Sequence, residues 1–158
     1  MTALDAALIA AYRAAEYVVL PPIHDPVVLR IGQTTSDLAG LLPRLDGAAR
    51  SSAGSVPWAF LTACNPFSVP LAHDENLRRL GRLRTELASL GLPFCDGFGR
   101  DPEGQWLGEP SLFVLNLEPA AACAVGRRWE QHAIVAGTID GIARLWRCDD
   151  DADLTEST

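Results

Sequence analysis

Apolar positions recur along the chain at two spacings, and these predict alternating helices and strands. Leu8 and Tyr12 lie one helical turn apart within a helix predicted over residues 3–16. Two short apolar runs, residues 17–20 and 27–31, predict strands that a proline-rich turn joins as a hairpin. The first part of the chain is therefore expected to form a helix followed by two paired strands.

The middle of the chain predicts a buried strand and then a long helix. Residues 58–64 form a continuous apolar run, which is typical of a strand in a sheet that is covered on both faces. Leu80, Leu83 and Leu87 fall on one stripe of a helix predicted over residues 74–90. The same patterns predict four more strands and two more helices: strands over 93–98, 111–117, 132–136 and 142–146, and helices over 35–42 and 120–129.

These elements predict one α/β (or α+β) domain. Because helical crossovers alternate with hairpins along the chain, we expect a mixed β-sheet of about six to seven strands flanked by about four helices. The domain is expected to span residues 1–148. Residues 149–158 are acidic and have few apolar side chains, so they are expected to form a disordered tail.

Charge and composition narrow the classes of function. The net charge of -7 argues against a protein that binds duplex nucleic acid, whose phosphates require a clustered positive charge. The chain has no apolar run near the roughly 20 residues that span a membrane, and its first residues lack the basic segment of a secretory signal. We therefore expect a cytoplasmic protein without membrane contact.

The residue types that are present exclude several chemistries. All 13 basic residues are arginines, so Schiff-base catalysis and the phosphate-binding lysine of P-loop proteins are excluded. The cysteines, at positions 64, 95, 123 and 148, are widely spaced and form no C-x-x-C motif. This spacing predicts neither a metal site nor a disulfide framework, and nothing in the sequence predicts a cofactor.

Polar side chains are concentrated in residues 62–76, TACNPFSVPLAHDEN, where the buried strand gives way to the start of a helix. In α/β sheets ligands collect at the carboxyl ends of strands, and helix N-termini favour anionic groups. This segment therefore predicts that a small polar or anionic ligand binds at strand-end loops. Whether the protein also catalyses a reaction stays open.

Several motifs resemble a bacterial family catalogued as domain of unknown function 3293. They are N-P-x-S at residues 65–68, L-x-x-x-E-N at 71–76, G-R-D-P at 99–102, E-P-S at 109–111 and the Trp-Glu-Gln of residues 129–131. The resemblance spans about residues 17–146 and implies a family without an assigned activity. The chain departs from the family pattern at Ala72, which stands in place of a serine and removes a capping partner of Glu75, and at Glu130.

The candidate ligand-binding residues come from these motifs: Asn65, Ser68, Glu75, Asn76, Arg100, Glu109, Ser111 and Gln131. A purely structural interpretation competes at each position. Asn65 and Ser68 also suit turns that bond their own backbone, and Glu75 suits the first turn of a helix. Arg100 would recognise an anion, or it would be an exposed turn residue that pairs with Asp101 or Glu103. A salt bridge between Arg100 and Glu109 that closes the hairpin loop is a further alternative.

Two other functions stay open beside ligand binding. One is a protein-protein interaction module without catalytic activity, which an exposed Trp106 or Trp129 beside a flat patch would favour. The other is a hydrolase in which Cys64 is the nucleophile and His132 its base, which requires the two side chains to meet in space.

Overall fold

Seven strands form one curled sheet in the computed structural model, which describes residues 3–44, 56–104 and 108–156. The strands are β1 (Glu16–Leu20), β2 (Val27–Arg30), β3 (Pro57–Leu61), β4 (Phe94–Arg100), β5 (Glu109–Leu115), β6 (Ala133–Thr138) and β7 (Arg144–Arg147). The α-helices are α1 (Ala6–Ala14), α2 (His73–Ser89) and α3 (Pro119–Arg128), and 3-10 segments cover Ser36–Arg44 and Pro66–Ser68. The predicted single α/β domain of about six to seven strands and about four helices is confirmed.

The order of the strands is β2-β1-β4-β5-β3-β6-β7, and every neighbouring pair is antiparallel. Among the described residues, parallel pairing is confined to an isolated bridge between Ile31 and Ala143. This bridge joins the chain after β2 to the chain before β7, so the two edges of the sheet meet. The sheet is thus antiparallel apart from that bridge, where parallel strand pairs were also expected.

The helical connections explain why the expected parallel pairs are missing. Strands β3 and β4, which α2 connects, both pair antiparallel with β5 and therefore run parallel to each other with β5 between them. In the same way, α3 connects β5 to β6 across β3. The unit from β3 to β6 has the β-α-β-β-α-β element order of a ferredoxin-like split β-α-β motif. The β1–β2 hairpin extends it beside β4, and β7 extends it beside β6.

Apolar side chains cover the sheet on both faces, as the run from Trp58 predicted. On β3, Trp58 and Phe60 belong to a core cluster that includes Leu38 and Leu41, with residues of α1 packed against it. We call this side the α1 face. Ala59 and Leu61 alternate to the opposite side, where they pack with the apolar residues of α2 and α3.

The sequence predicted a disordered tail from residue 149. Residues 149–156 instead fold back onto β7. Asp153 forms a β-bridge with Trp146, and the backbone N–H of Leu154 donates to the carbonyl of Leu145 at 2.7 Å. The Leu154 side chain is buried in the core cluster of the α1 face. The Leu154 side chain and these backbone contacts with β7 therefore anchor a segment whose acidic composition predicted disorder.

None of the helices in the described parts of the chain has both the length and the apolar character needed to cross a lipid bilayer.

Candidate functional site

A cavity of about 540 Å³ lies between α1 and the ends of three neighbouring strands. Leu8, Ala11 and Tyr12 of α1, with Ala15 directly after the helix, line one side of it. The end of β3, the beginnings of β5 and β6 and the loop before α2 line the other side. The structure brings six of the eight sequence-predicted residues to this cavity: Asn65, Ser68, Asn76, Glu109, Ser111 and Gln131.

The loop after β3 has an unusual backbone that directs its side chains to the cavity. Asn65, Phe67 and Ser68 have φ values of 49°, 50° and 60°, in the left-handed region that residues with a Cβ rarely adopt. The Phe67 N–H donates to the carbonyl of Glu130 at 2.6 Å, so the turn after α3 holds the loop in place. Backbone strain of this kind persists only where the surroundings fix it, and it is common at ligand sites.

Asn65 is the centre of a hydrogen-bond network that joins the loop, α2 and β5. Its side-chain amide donates to Glu109 Oε2 at 2.9 Å, and its Oδ1 accepts from Asn76 Nδ2 at 2.8 Å. Asn76 Oδ1 in turn accepts from the backbone N–H of Asn65 at 2.9 Å. The network uses both sides of each amide, so it fixes the orientation of both and holds the Glu109 carboxyl group at the cavity.

Glu109 is the acidic group of the cavity. Burial raises its pKa to about 7, and the hydrogen bond from Asn65 partly offsets that rise. A carboxyl group with such a pKa exchanges its proton near neutral pH, where an ordinary glutamate is fully ionised. Strongly shifted carboxyl groups in cavities are typical of functional sites.

Sequence reasoning missed the hydroxyl groups that complete the polar end of the cavity. Tyr12 Oη lies 3.2 Å from Ser68 Oγ, and the Tyr17 hydroxyl donates to the carbonyl of Tyr12 at 2.6 Å. Thr62 and His73 also line the cavity. Tyr12 was assigned to the apolar stripe of the first helix. Its hydroxyl group, a polar tip at the end of that stripe, was the signal in the sequence.

Residues 61–134 match the model of a family described as Protein of unknown function (DUF3293). This part of the chain is similar to that family. The resemblance drawn from the motifs is therefore confirmed, and the matched residues run from the end of β3 to the second residue of β6. The comparison with curated proteins and the comparison with solved structures both gave no match.

Two residues of the DUF3293 motifs line the cavity while bonding to backbone groups around it. Ser111 Oγ donates to the carbonyl of Glu109 at 2.9 Å. Gln131 Nε2 donates to the carbonyls of Cys64 and Trp129, each at 3.0 Å. These bonds hold the ends of β3 and β5 and the turn after α3 in place, so both residues shape the site from its walls.

Glu75 lies outside the cavity, although it belongs to the same motif as Asn76. Its carboxylate pairs with Arg78 at 2.7 Å on the surface of α2. The helix begins after Ala72 without a side-chain cap, and Asp74 accepts a hydrogen bond from the Glu75 N–H at 3.0 Å. Glu75 therefore has the surroundings of a charged residue in the first turn of a helix, which is its structural interpretation.

Arg100 also lies away from the cavity, and its expected salt bridge with Glu109 is wrong. Its guanidinium pairs with Glu16 at 3.0 Å, because Glu16 is directly opposite on β1. On β5, Glu109 is opposite Gly99, and side chains alternate between the two faces along β4. Arg100 and Glu109 therefore point to opposite sides of the sheet.

The hydrolase hypothesis finds no geometric support in Cys64 and His132. The Cys64 thiol is fully buried and faces the carbonyl oxygens of Asn76 and Pro110, at 3.8 and 3.5 Å. Burial raises its pKa, which disfavours the reactive thiolate. The His132 ring lies against the Phe67 ring, with 5.3 Å between centroids. Within the described ranges, no cluster of three or more His, Cys, Asp or Glu residues is placed to hold a metal ion.

Proposed function

We propose that this protein binds a small polar ligand in the cavity beneath α1. The observation that carries the proposal is the convergence of polar side chains from α1, the loop before α2 and β5 on one cavity of about 540 Å³. Ligand pockets usually enclose about 300 to 1,000 Å³, with mainly apolar walls and a few fixed polar groups. This cavity has that size and that division of its lining.

The lining suggests a ligand with an apolar body and a polar end. Phe60, Leu71 and Leu145 contribute apolar wall, whereas Glu109, Ser68 and other groups of the loop after β3 offer hydrogen bonds. Because Arg100 pairs with Glu16 outside the cavity, an anionic ligand has less support than the sequence suggested. If the protein is also an enzyme, Glu109 is the group suited to take up or release a proton at neutral pH.

A cavity-filling variant tests this proposal. Ala11→Trp places an indole in the cavity without removing a polar group, whereas Ala10→Trp adds the same side chain at an exposed position of α1 outside the lining. A thermal-shift screen of amines, alcohols, carboxylates, sugars and nucleosides would be run on the wild type and both variants. We expect at least one compound class to raise the Tm of the wild type and Ala10→Trp only, because binding to the native state stabilises it. Equal shifts in all three proteins, or none, would contradict the proposal.

The interaction module without catalytic activity is the alternative proposal, and it has less support. Exposure of Trp129 would favour it, but Trp129 is partly buried against the cluster of α2 and α3, and the Arg79 guanidinium lies 5.5 Å from its ring centroid. Trp106 falls outside the described residues. If the screen finds no ligand, partner capture with the intact protein becomes the next experiment.

A further inference from the structure

We propose that the ligand of this cavity carries a protonated amine that pairs with Glu109. The inference rests on the proposed ligand site and names the charge of the group bound there. It follows from the charges, the hydrogen-bonding capacity and the aromatic rings of the described lining.

The described lining has one carboxyl group and lacks an arginine to neutralise it. Glu109 is the only aspartate or glutamate among those described residues, and none of them is an arginine. Arg79, the arginine near the loop after β3, donates instead to the carbonyls of Ala63 and Trp129, at 2.6 and 2.9 Å. A buried carboxylate is costly unless a positive charge accompanies it, so a cationic ligand would supply the missing partner.

The Glu109 carboxyl group also has unused hydrogen-bonding capacity. Within the described part of the chain it accepts a single hydrogen bond, from Asn65 to Oε2. An ionised carboxylate offers about four lone-pair positions on its two oxygens. Oε1 is therefore available to accept from an N–H donor, and a charge-assisted bond of this kind is about twice as strong as a neutral one.

Aromatic rings beside the carboxyl group suit the rest of such a ligand. Tyr12, Tyr17 and Phe60 line the cavity, and the rings of Tyr17 and Phe60 meet edge to face with centroids 5.5 Å apart. The faces of aromatic rings attract cations, and they also provide apolar surface for an alkyl or aryl body. An anion of the same size would meet the negative charge of Glu109 without a compensating arginine, so the site discriminates against it.

Three probes with the same phenylethyl body and different polar ends test the charge of the ligand: 2-phenylethylamine, 2-phenylethanol and 3-phenylpropionate. Calorimetric titration of the wild type is expected to show that the amine binds at least about tenfold more tightly than the alcohol, and that the carboxylate binds most weakly. Glu109→Gln is expected to remove this advantage while it leaves alcohol binding nearly unchanged. Glu75→Gln is the matched control, because it neutralises a carboxylate outside the cavity.

The pH dependence gives a second readout that a general loss of structure would not reproduce. An alkylamine stays protonated to about pH 10, so between pH 5.5 and 8.5 its affinity should rise as Glu109 ionises, and Glu109→Gln should abolish that rise. Tyr12, Tyr17 and Cys64 are close enough to sense the Glu109 charge, and burial raises the pKa of each. His73 lines the same cavity and is unchanged in Glu109→Gln, so the difference between the two pH profiles reports Glu109 alone.

The outcomes separate this inference from the proposed function. If the alcohol binds to the wild type and to Ala10→Trp but not to Ala11→Trp, and the amine has no advantage, the ligand site stands and the charge assignment is overturned. If the amine does not bind, or binds equally well to wild type and Glu109→Gln, the assignment is overturned as well. If no compound of any charge binds in the cavity, both proposals fail.

Discussion

Asn65 links the loop after β3 to both α2 and β5. It follows β3, adopts a left-handed backbone conformation that asparagine tolerates better than most residues, and bonds both Asn76 and Glu109. Its amide donates to the carboxylate and accepts from the second amide at the same time. An aspartate in its place would bring a second carboxylate to Glu109, so the amide suits a site that has one negative charge.

The raised pKa of Glu109 predicts how stability depends on pH. The pKa is about 7 in the folded protein and near 4.5 when the chain is unfolded, so between these values the folded state binds more protons. Stability therefore falls as the pH rises from about 4.5 to about 7, because the buried carboxyl group must ionise. The loss should be roughly 1 to 3 kcal/mol in the free energy of unfolding.

Glu109→Gln isolates this effect, since glutamine cannot ionise. We expect the stability of the variant relative to wild type to improve by that amount between pH 4 and pH 7.5, as measured by urea unfolding at several pH values. Glu75→Gln, with its surface carboxylate, should follow the wild-type profile. Parallel pH profiles for the wild type and Glu109→Gln would show that Glu109 is not buried as described.

At the scale of elements, the spacing of apolar residues and the positions of turn-forming residues predicted the strands and helices. They did not predict the order of the strands in the sheet. The run over residues 58–64 was identified as a strand covered on both faces because nearly every residue is apolar, and β3, which ends at Leu61, is such a strand. No local pattern states that β5 inserts between β3 and β4. That insertion depends on distant packing, and it decides which side chains meet at the cavity.

Gly97 on β4 predicts one consequence of this packing. A Cβ at this position would lie 2.5 Å from the carbonyl oxygen of Val18 and 2.9 Å from the Phe60 ring. We expect Gly97→Ala to destabilise the protein by about 1 to 3 kcal/mol, because the backbone of β1 cannot move away freely. Gly81 on α2 is the matched control, because a Cβ there would meet nothing within 4 Å. Gly81→Ala should stabilise by about 0.5 to 1 kcal/mol, since alanine is the better helix former.

The two glycine variants are compared by urea unfolding under identical conditions. Effects of opposite sign are the expected result. If Gly97→Ala were neutral, the approach of β1 and the Phe60 ring to β4 would be looser than the structure describes, and the wall of the cavity that Phe60 forms would be adjustable.

At the scale of the whole molecule, the sequence predicted the fold class, the family resemblance and six of the residues that line the cavity. Arg100 and Glu75 were included because they stand in motifs, but sharing a motif does not determine the face on which a side chain emerges. Tyr12 was missed because it belongs to α1, and only the folded chain brings that helix to the loop after β3. The ferredoxin-like arrangement does not assign a function, so the proposals depend on the cavity alone.

The segment after β7 is part of the core, so a substitution there should affect the stability of the whole molecule. The Leu154 side chain is 8% exposed, and its carbonyl accepts from Arg13 Nε of α1 at 2.7 Å. Leu154→Ala should reduce the free energy of unfolding by about 2 to 3 kcal/mol, since it removes buried apolar contacts and leaves a void. Leu77 on α2 is 45% exposed, and Leu77→Ala should change stability by less than about 0.5 kcal/mol.

Urea unfolding of both variants tests whether residues 149–156 contribute to the stability of the fold. A large loss for Leu154→Ala alone means that the Leu154 side chain is part of the core against which α1 packs. Because α1 covers the cavity, the same variant should then also weaken the binding of any compound found in the ligand screen. Equal and small losses for the two variants would instead mean that the segment docks without supporting the fold, and α1 would have to be held by its contacts with the sheet alone.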